Sequence, residues 1–593
     1  MDLTQISLVL LLGAILAGFV WGRFRHDVVA FAGLLTAVLI GIVPADNAFA
    51  GLGHTATVTV ALMLVLTKGL TDSGATSQLV EFLGRFTATI TRHIASLAGA
   101  TALLSTVMNN VGALALTMPI AMQTAARTNR SPSLLLMPIS FAALLGGLVT
   151  LIGTPPNIIA ASYRQGEIGQ SFHMFDFTWV GLPVAVVGIA FITTLGWRLL
   201  PKDRQRAAGL EAFFHVGDYV TEIRVAEKNP LLGQTIGEVA DKFAELDVAI
   251  LGLLRNERRV PNVPRRFNLM AGDVLIVEAS PDNLPKLIER FQLAIGGQAP
   301  TPVSLLSNED VRLAEVVIKP GSELDGRSQG RARLAQQFNV NLLAVAREGS
   351  PTRDRLDWIV LRAGDVLLLQ GETARLAEVT RLLGCLPLAE RRLQVGQGTK
   401  AVPTLVIFAA AVLLTSLGLL TLPIALGCAL IGMILLGVIQ VRELYDAIDW
   451  PVIILLASMI PIGDALQTTG LTTVIAGTIA GISADYGAVA ALLVVFLVTM
   501  LATDLLNNAA TVVIMAPIGM GVAEVLGANP DIFLMAVAIA GSCAFLTPIG
   551  HQNNTLIMGP GGYNFGDYWR MGLPLQVIIV ATAIPLLLFF WGF

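Results

Sequence analysis

The sequence predicts an α-helical polytopic membrane protein, built as an inverted repeat with small α+β domains inserted between its halves. Three observations predict it. Of 593 residues, 54% are hydrophobic and only 13% are charged, whereas about a quarter of a soluble chain is charged. The apolar runs form two clusters, 6–200 and 401–592, around a charged stretch at 201–400. The two clusters also repeat each other's landmarks in the same order. A mean hydropathy of +0.72 excludes an extended disordered chain. The net charge of −4 argues against nucleic acid as a partner. Cys385, Cys428 and Cys543 are far apart with no CxxC pair, which excludes a disulfide scaffold and argues against a thiolate metal site.

A membrane helix needs about 20 apolar residues. In the first half, 1–200, that rule gives spans at 6–22, 28–43, 55–72, 132–152 and 177–199. The second half, 400–593, gives 402–418, 422–440, 451–468, 531–548 and 571–592. The first segment has no basic n-region and no small-residue cleavage site, so it reads as a retained helix. The apolar regions 94–126 and 487–525 are interrupted by Asn109-Asn110 and Asn507-Asn508. Their arms run about 14–20 residues, and the shorter ones reach about 21 Å of a roughly 30 Å hydrocarbon core. Each region reads as a re-entrant hairpin. Irregular backbone at membrane depth survives only where protein buries it or water reaches it, so the tips should line a cavity.

Between the halves, two α+β domains are expected at 210–296 and 308–386. Arg255 stands 17 residues before Gly272-Asp273, and Arg347 stands 17 before Gly364-Asp365. Each unit opens with an alternating strand, then shows a helix-like stretch, a strand, a turn and a strand.

Basic residues set the orientation. With the N-terminus outside, Arg23, Arg25, Arg85, Arg92, Arg127, Arg130, Arg198, Lys202, Arg204, Arg206, Arg391, Arg392, Lys400, Arg442 and Arg570 all fall inside. Arg164 is the only basic loop residue outside. Both termini are then outside and 201–400 is cytoplasmic, as in a bacterial plasma membrane.

The repeat is gapless from Phe49–Gly74 to Tyr445–Gly470. Asn109-Asn110 with Pro119 matches Asn507-Asn508 with Pro517. Thr150, Gly153, Thr154, Pro155 and Asn157 match the run holding Thr547, Pro548, Gly550, Asn553 and Asn554. Asp176 with Gly181 and Pro183 matches Asp567 with Gly572 and Pro574. An odd number of spans per half, starting on opposite sides, gives an inverted-topology repeat, with the site expected at broken helices near the midplane. Helix N-termini there suit an anion, and freed carbonyls suit a cation.

The paired hairpins and the run Thr-Leu-Ile-Gly-Thr-Pro-Pro-Asn at 150–157 resemble the divalent anion:sodium symporters (DASS) of the ion transporter superfamily. The inserted units resemble TrkA C-terminal (RCK-C) domains. The resemblance implies a homodimer, elevator-like alternating access, and one sodium at each tip, at Asn110 and Asn508, with the anion between. Dicarboxylate members carry Ser-Asn-Thr at each tip. Here Asn109, Asn110 and Val111, and Asn507, Asn508 and Ala509, stand there without flanking hydroxyls, which points to a compact inorganic anion, sulfate first.

Asp504 lies four residues before Asn508 and is read as a sodium ligand, a proton carrier or a tip-orienting group. Lys68 and Asp464 align across the repeat and are read as snorkelling ends or intramembrane ion contacts. His551 reads as a packing histidine rather than a proton shuttle. Gly51-Leu52-Gly53 lacks the context of a dinucleotide fingerprint, and Gly559 to Gly562 is a turn. No nucleophile–base constellation is visible, so no enzyme is expected. No cofactor is expected beyond coupling sodium ions and an unidentified regulatory ligand of the inserted domains. Rival readings are a dicarboxylate or proton-coupled carrier, and a channel gated by the RCK-like domains.

Overall fold

The computed structural model describes residues 1–21, 24–74, 87–128, 130–201, 220–226, 229–246, 248–255, 258–260, 264–278, 287, 290–291, 293–295, 311–328, 334–338, 340–347, 350–351, 359–388, 400–483 and 487–592. Contacts divide the chain into two units, Met1–Ala207 with Glu390–Phe593, and Ala208–Ala389. Arg23, Arg85, Lys202, Arg204, Arg206, Arg391 and Arg392, all used for orientation, lie outside the described residues.

The first half is helical: α1 (Leu3–Trp21), α2 (His26–Leu39), α3 (Thr55–Asp72), α4 (Ile90–Ser105), α5 (Asn110–Arg127), α6 (Ser133–Gly147), α7 (Pro155–Ile168) and α8 (Thr178–Thr194). Thr89 begins α4 by accepting the Arg92 N–H, the usual role of a hydroxyl N-cap. Pro155-Pro156 opens α7 where missing N–H groups cost nothing, and Gly169, at φ 82°, closes it.

The second unit holds two five-stranded antiparallel sheets. The first has β1 (Val220–Arg224), α9 (Ile236–Ala244), β2 (Ala249–Arg255), β3 (Arg258–Val260), β4 (Val274–Glu278) and β5 (Ala294–Ile295), in the order β3-β2-β4-β1-β5. The other has β6 (Val311–Ile318), α10 (Leu334–Phe338), β7 (Asn341–Arg347), β8 (Ser350–Pro351), β9 (Val366–Glu372), α11 (Thr373–Leu382) and β10 (Cys385–Pro387), in the order β10-β6-β9-β7-β8. The spacing seen in the sequence has a physical cause. Arg255 grips Asp273 through two bonds of 2.8 and 2.7 Å, and Arg347 grips Asp365 through two of 2.7 Å. Each sheet covers its own apolar core, around Leu253, Leu275 and Phe243 in one and Val316, Leu367 and Leu369 in the other. Burial raises the Glu315 carboxyl on β6 to about 7.

The second half has α12 (Ala401–Ser416), α13 (Leu422–Leu435), α14 (Trp450–Thr468), α15 (Leu471–Ser483), α16 (Ala488–Leu505), α17 (Asn508–Leu526), α18 (Pro530–Gly541), α19 (Gln552–Gly561) and α20 (Tyr568–Trp591). Among the described residues, six helical stretches are long and apolar enough to cross a membrane: 3–21, 45–72, 450–468, 488–505, 508–526 and 565–591. The halves interlock: α2 packs on α14, α13 packs on α3, and α8 packs on α20.

The expected spans at 132–152 and 531–548 break at the matched Thr150 and Thr547 runs, as the repeat predicts. The span at 132–152 stops as helix at Gly147 and resumes at Pro155, while that at 531–548 stops at Gly541 and resumes at Gln552. Proline starts these stretches more readily than it continues them: Pro155-Pro156 opens α7, and Pro548 falls inside the second gap. Helix α15 was not expected, because its 13 residues fall below the spanning length. The hairpin arms α4, α5, α16 and α17 have 16, 18, 18 and 19 residues, within the roughly 14–20 expected, and both arms of the second pair are by length and composition enough to cross a membrane.

Candidate functional site: two hairpin tips and two helix breaks

The tip of each hairpin is built by one hydroxyl and one Asn side chain five residues apart. The Ser105 hydroxyl donates to Asn110 Oδ1 at 2.7 Å, and Thr503 Oγ1 lies 2.9 Å from Asn508 Oδ1. The preceding Asn caps the next helix: Asn109 Oδ1 accepts Gly112 N at 2.7 Å, and Asn507 Oδ1 accepts Ala509 N at 2.9 Å. Asn110 and Asn508 are 2% and 5% exposed, so these tips end inside protein.

The breaks are built alike. Thr150 donates to Thr106 O, and Thr547 to Asp504 O, both at 2.5 Å. Each break is then clamped by an Asn amide. Asn157 Nδ2 donates to Thr150 O at 2.8 Å and to Gly147 O at 3.3 Å. Asn554 Nδ2 donates to Thr547 O at 3.1 Å and to Ala544 O at 2.9 Å. The helices that follow start from the same backbone geometry, at φ −147°, ψ 145° for Thr154 and φ −146°, ψ 142° for His551. Gly181 and Gly572 let α8 and α20 lie against these breaks. A Cβ there would stand 2.1 Å from Leu148 O and 2.2 Å from Phe545 O.

The halves meet at these elements. Asn553 Nδ2 donates to Asn110 O at 3.2 Å, and Ser140 Oγ to Asn554 Oδ1 at 2.9 Å. Tyr563 donates its hydroxyl proton to Ser133 O and accepts Met137 N at 2.9 Å. Both tips and both breaks line one cavity of about 720 Å³, its open part included. Asn109, Asn110, Val111, Thr154, Pro155, Asn507, Asn508 and Ala509 line it. Thr150, Gly153, Asn157, Thr547, Gly550, Asn553 and Asn554 are not among its lining residues, and the bonds of Thr150, Asn157, Thr547, Asn553 and Asn554 hold the tips and breaks that are. Pro548 accepts the Thr555 hydroxyl at 2.7 Å within the second break.

Three charged candidates lie elsewhere. Asp504 is buried and held by the fold: Oδ1 accepts Leu546 N at 2.8 Å and Oδ2 accepts Gln576 Nε2 at 2.7 Å. Both oxygens are thus engaged by protein donors. Lys68 pairs with Asp72 at 2.8 Å near the end of α3. Asp464 is exposed and sits within electrostatic reach of Tyr163 and Glu167. Neither joins the cavity, as end-of-helix positions allow.

Sequence reasoning missed Asp449, Gln552 and the role of His551, all of which line the cavity. Asp449 directly precedes α14, where it reads as an ordinary helix-start carboxylate; its contact with Gln552 Nε2, at 3.5 Å, joins residues 103 positions apart. The match of His551 with Thr154 across the repeat was the available signal.

Several buried polar atoms here have no protein partner: Thr154 Oγ1, Asn157 Oδ1, Asn508 Nδ2 and Asn553 Oδ1. An unsatisfied buried polar group costs about 1–3 kcal/mol, so these four, two of them on residues that line the cavity (Thr154 and Asn508), call for a functional reason. Among the described residues lining it there is one carboxylate, Asp449, and no Arg or Lys. No group of three or more His, Cys, Asp or Glu suited to a metal occurs among the described residues.

Comparison with known proteins gives this architecture its family. The citrate transporter (CitMHS) family model matches residues 16–540. A Synechocystis sp. protein described as an uncharacterized transporter is 32% identical over 577 residues, covering 95% of this chain and 94% of its own. An Escherichia coli K12 protein, the uncharacterized transporter YfbS, is 28% identical over 608 residues, covering 97% of each chain. Sodium/sulfate cotransporter 1 of Chlamydomonas reinhardtii is 26% identical over 359 residues, which cover 56% of this chain and 39% of that protein. The matched region takes in α2 to α18, with both hairpins and the first break. The chain thus belongs to the citrate transporter family, within the ion transporter superfamily, and is an integral membrane protein.

Proposed function

We propose that this protein is a sodium-coupled importer of a small anion, sulfate first, working by elevator-type alternating access. The observation that carries the reading is the convergence of both tips and both breaks on one cavity with no Arg or Lys among its described lining residues. A helix that crossed the membrane completely would put its end at a surface. Two hairpin tips that end together inside protein therefore support re-entrant hairpins and an inverted repeat of 1–200 and 400–593. Burying an uncompensated anion is costly. With no Arg or Lys among the described lining residues, the partial positive charge of the helix N-termini and a co-bound cation are the sources of compensation.

Oxygen atoms are available for it. A Cβ at Gly147 would lie 2.5 Å from Asn110 Oδ1 and 3.3 Å from Gly153 O, so glycine lets these two oxygen atoms approach the backbone behind the first tip. At the second tip, Thr503 Oγ1 lies 2.7 Å from Gly541 O and 2.9 Å from the Asn508 amide. The hydroxyl has one proton, and a carbonyl can only accept it. Rotating the amide lets Nδ2 donate to Thr503 and turns Oδ1 into the unpartnered atom, a cation ligand. We assign one sodium to each tip, at Asn110 and Asn508, with the anion between. The name of the sodium/sulfate relative supports the same pair of solutes.

The remaining features follow the resemblance. The units at 210–296 and 308–386 act as TrkA-C-like cytoplasmic modules for regulation or dimerisation. The protein works as a homodimer in a bacterial plasma membrane with both termini outside. Radiolabelled sulfate uptake into proteoliposomes tests the central reading, with an inward sodium gradient, a proton gradient or neither. Uptake driven by sodium alone is expected. Uptake driven equally by protons, or of citrate but not sulfate, would replace the coupling ion or the substrate.

A further inference from the structure

We propose that His551 is a specificity-determining residue, a neutral imidazole that presents Nε2–H beside Asn110 Nδ2 as paired donors for an anionic oxygen atom of the substrate. The inference rests on the anion-transport reading of the same cavity and says which atoms hold the anion.

The tautomer follows from the fold. His551 is the N-cap of α19, and its Nδ1 accepts the Asn553 N–H at 3.1 Å. A ring nitrogen that accepts carries no proton, so in the neutral ring the proton sits on Nε2. Nε2 faces Asn110 Nδ2 at 3.5 Å. The Ser105 hydroxyl fixes that amide by donating to Oδ1 at 2.7 Å, which leaves Nδ2 on the side of the imidazole. Two donors thus face each other, and their 3.5 Å separation exceeds the usual 2.9–3.0 Å of an N–H bond. Neither satisfies the other, and both residues line the cavity. An oxygen accepting from both would join the second break to the first tip.

The charge of the surroundings favours an acceptor that needs no basic partner. Around the imidazole, Asn110, Asn508 and Gln552 are neutral, and Asp449 is the one charged group among the described residues of the lining. A neutral donor holds an oxyanion by dipoles and leaves its charge to the coupling cations. Thr154, which occupies the matching cap in the first half, has a shorter hydroxyl that reaches no protein partner, so an imidazole beside the opposite tip's amide is a feature of one side only. Sulfate and a carboxylate group share the required chemistry.

Two substitutions separate the two nitrogens. His551→Asn keeps an acceptor near the Nδ1 position, so the helix stays capped, but it deletes the Nε2 donor. His551→Gln extends an amide N–H toward the Nε2 position. Full-length protein is reconstituted, and KM and Vmax are measured for labelled sulfate and, separately, labelled citrate under an inward sodium gradient. The expected result is a KM raised about 10- to 100-fold in His551→Asn, as for loss of a hydrogen bond to a charged group. His551→Gln should recover most of that affinity. An unchanged KM in a folded His551→Asn protein overturns the proposal, as does a fall in Vmax alone, which would mark a proton carrier. The anion showing the KM effect identifies the substrate. If wild-type protein transports neither anion, and neither shifts its melting temperature, the anion reading itself fails and takes this inference with it.

Discussion

Replacing Asp504 by Asn distinguishes a positioning clamp from an ion ligand. Both carboxylate oxygens accept, one from Leu546 N at 2.8 Å and one from Gln576 Nε2 at 2.7 Å. An amide has only one acceptor, so either orientation turns a donor onto a donor. One charge-assisted bond is lost, worth about 1.5–3 kcal/mol, and a buried N–H is left unpaired. The expected destabilisation is about 2–4 kcal/mol, with the second break displaced from the hairpin tip. Adding Gln576→Glu gives the introduced amide an acceptor again. Rescue should be partial, because Gln576 Nε2 also donates to Cys543 O at 3.1 Å and a carboxylate cannot. The assay is thermal unfolding of full-length protein, with the sodium dependence of uptake measured alongside. If Asp504→Asn melts like wild type but needs at least tenfold more sodium, Asp504 is an ion ligand and the clamp reasoning is wrong.

Further expectations concern other contacts. Arg164 forks onto Asp531 with bonds of 2.7 and 2.8 Å, both side chains being largely buried. Arg164→Met should cost about 3–5 kcal/mol by stranding the carboxylate, read as a lower melting temperature; an unchanged value would reduce the pair to a surface contact. Arg255→Met in the second unit strands Asp273, whose side chain is 1% exposed, and should raise amide exchange in β2 and β4 while β7 and β9 stay protected. Glu315 gives a pH dependence with a definite sign. Its folded value near 7 lies above the unfolded 4.5, so the folded state binds the extra proton. The contribution of Glu315 to stability is greatest below about 4.5, falls as pH rises to about 7 and is level above that. Glu315→Gln should abolish this slope in amide exchange of β6 and protect the strand by about 1–3 kcal/mol at pH 8. An unchanged slope would refute the assignment.

The membrane architecture was legible because each bilayer span imposes a long apolar run. The repeat was legible because the same special residues serve the same backbone demands twice. Asn157 and Asn554 clamp carbonyls, Thr150 and Thr547 tie breaks to hairpins, and Gly181 and Gly572 admit a carbonyl at close range. The extents of α6 and α18 were not legible, since an apolar run does not record where hydrogen bonding stops. Gly147 and Leu148 are as apolar as the helix before them. Asp504 was found as an intramembrane acid, but its partner Gln576 is 72 residues away, and only the fold shows that the carboxylate is engaged. Asp449 and His551 were underrated for the same reason. Each has an ordinary local role at a helix start, and the cavity that makes them notable is assembled from both halves.

Both halves are proposed to build one anion site with its coupling cations. Equilibrium binding of labelled sulfate to purified full-length protein, with and without sodium, tests it most directly on wild type, Asn110→Ala and Asn508→Ala. One sulfate per chain is expected, bound only with sodium and weakened at least tenfold by either substitution. Sodium-independent binding, or binding indifferent to one of the two tips, would contradict it.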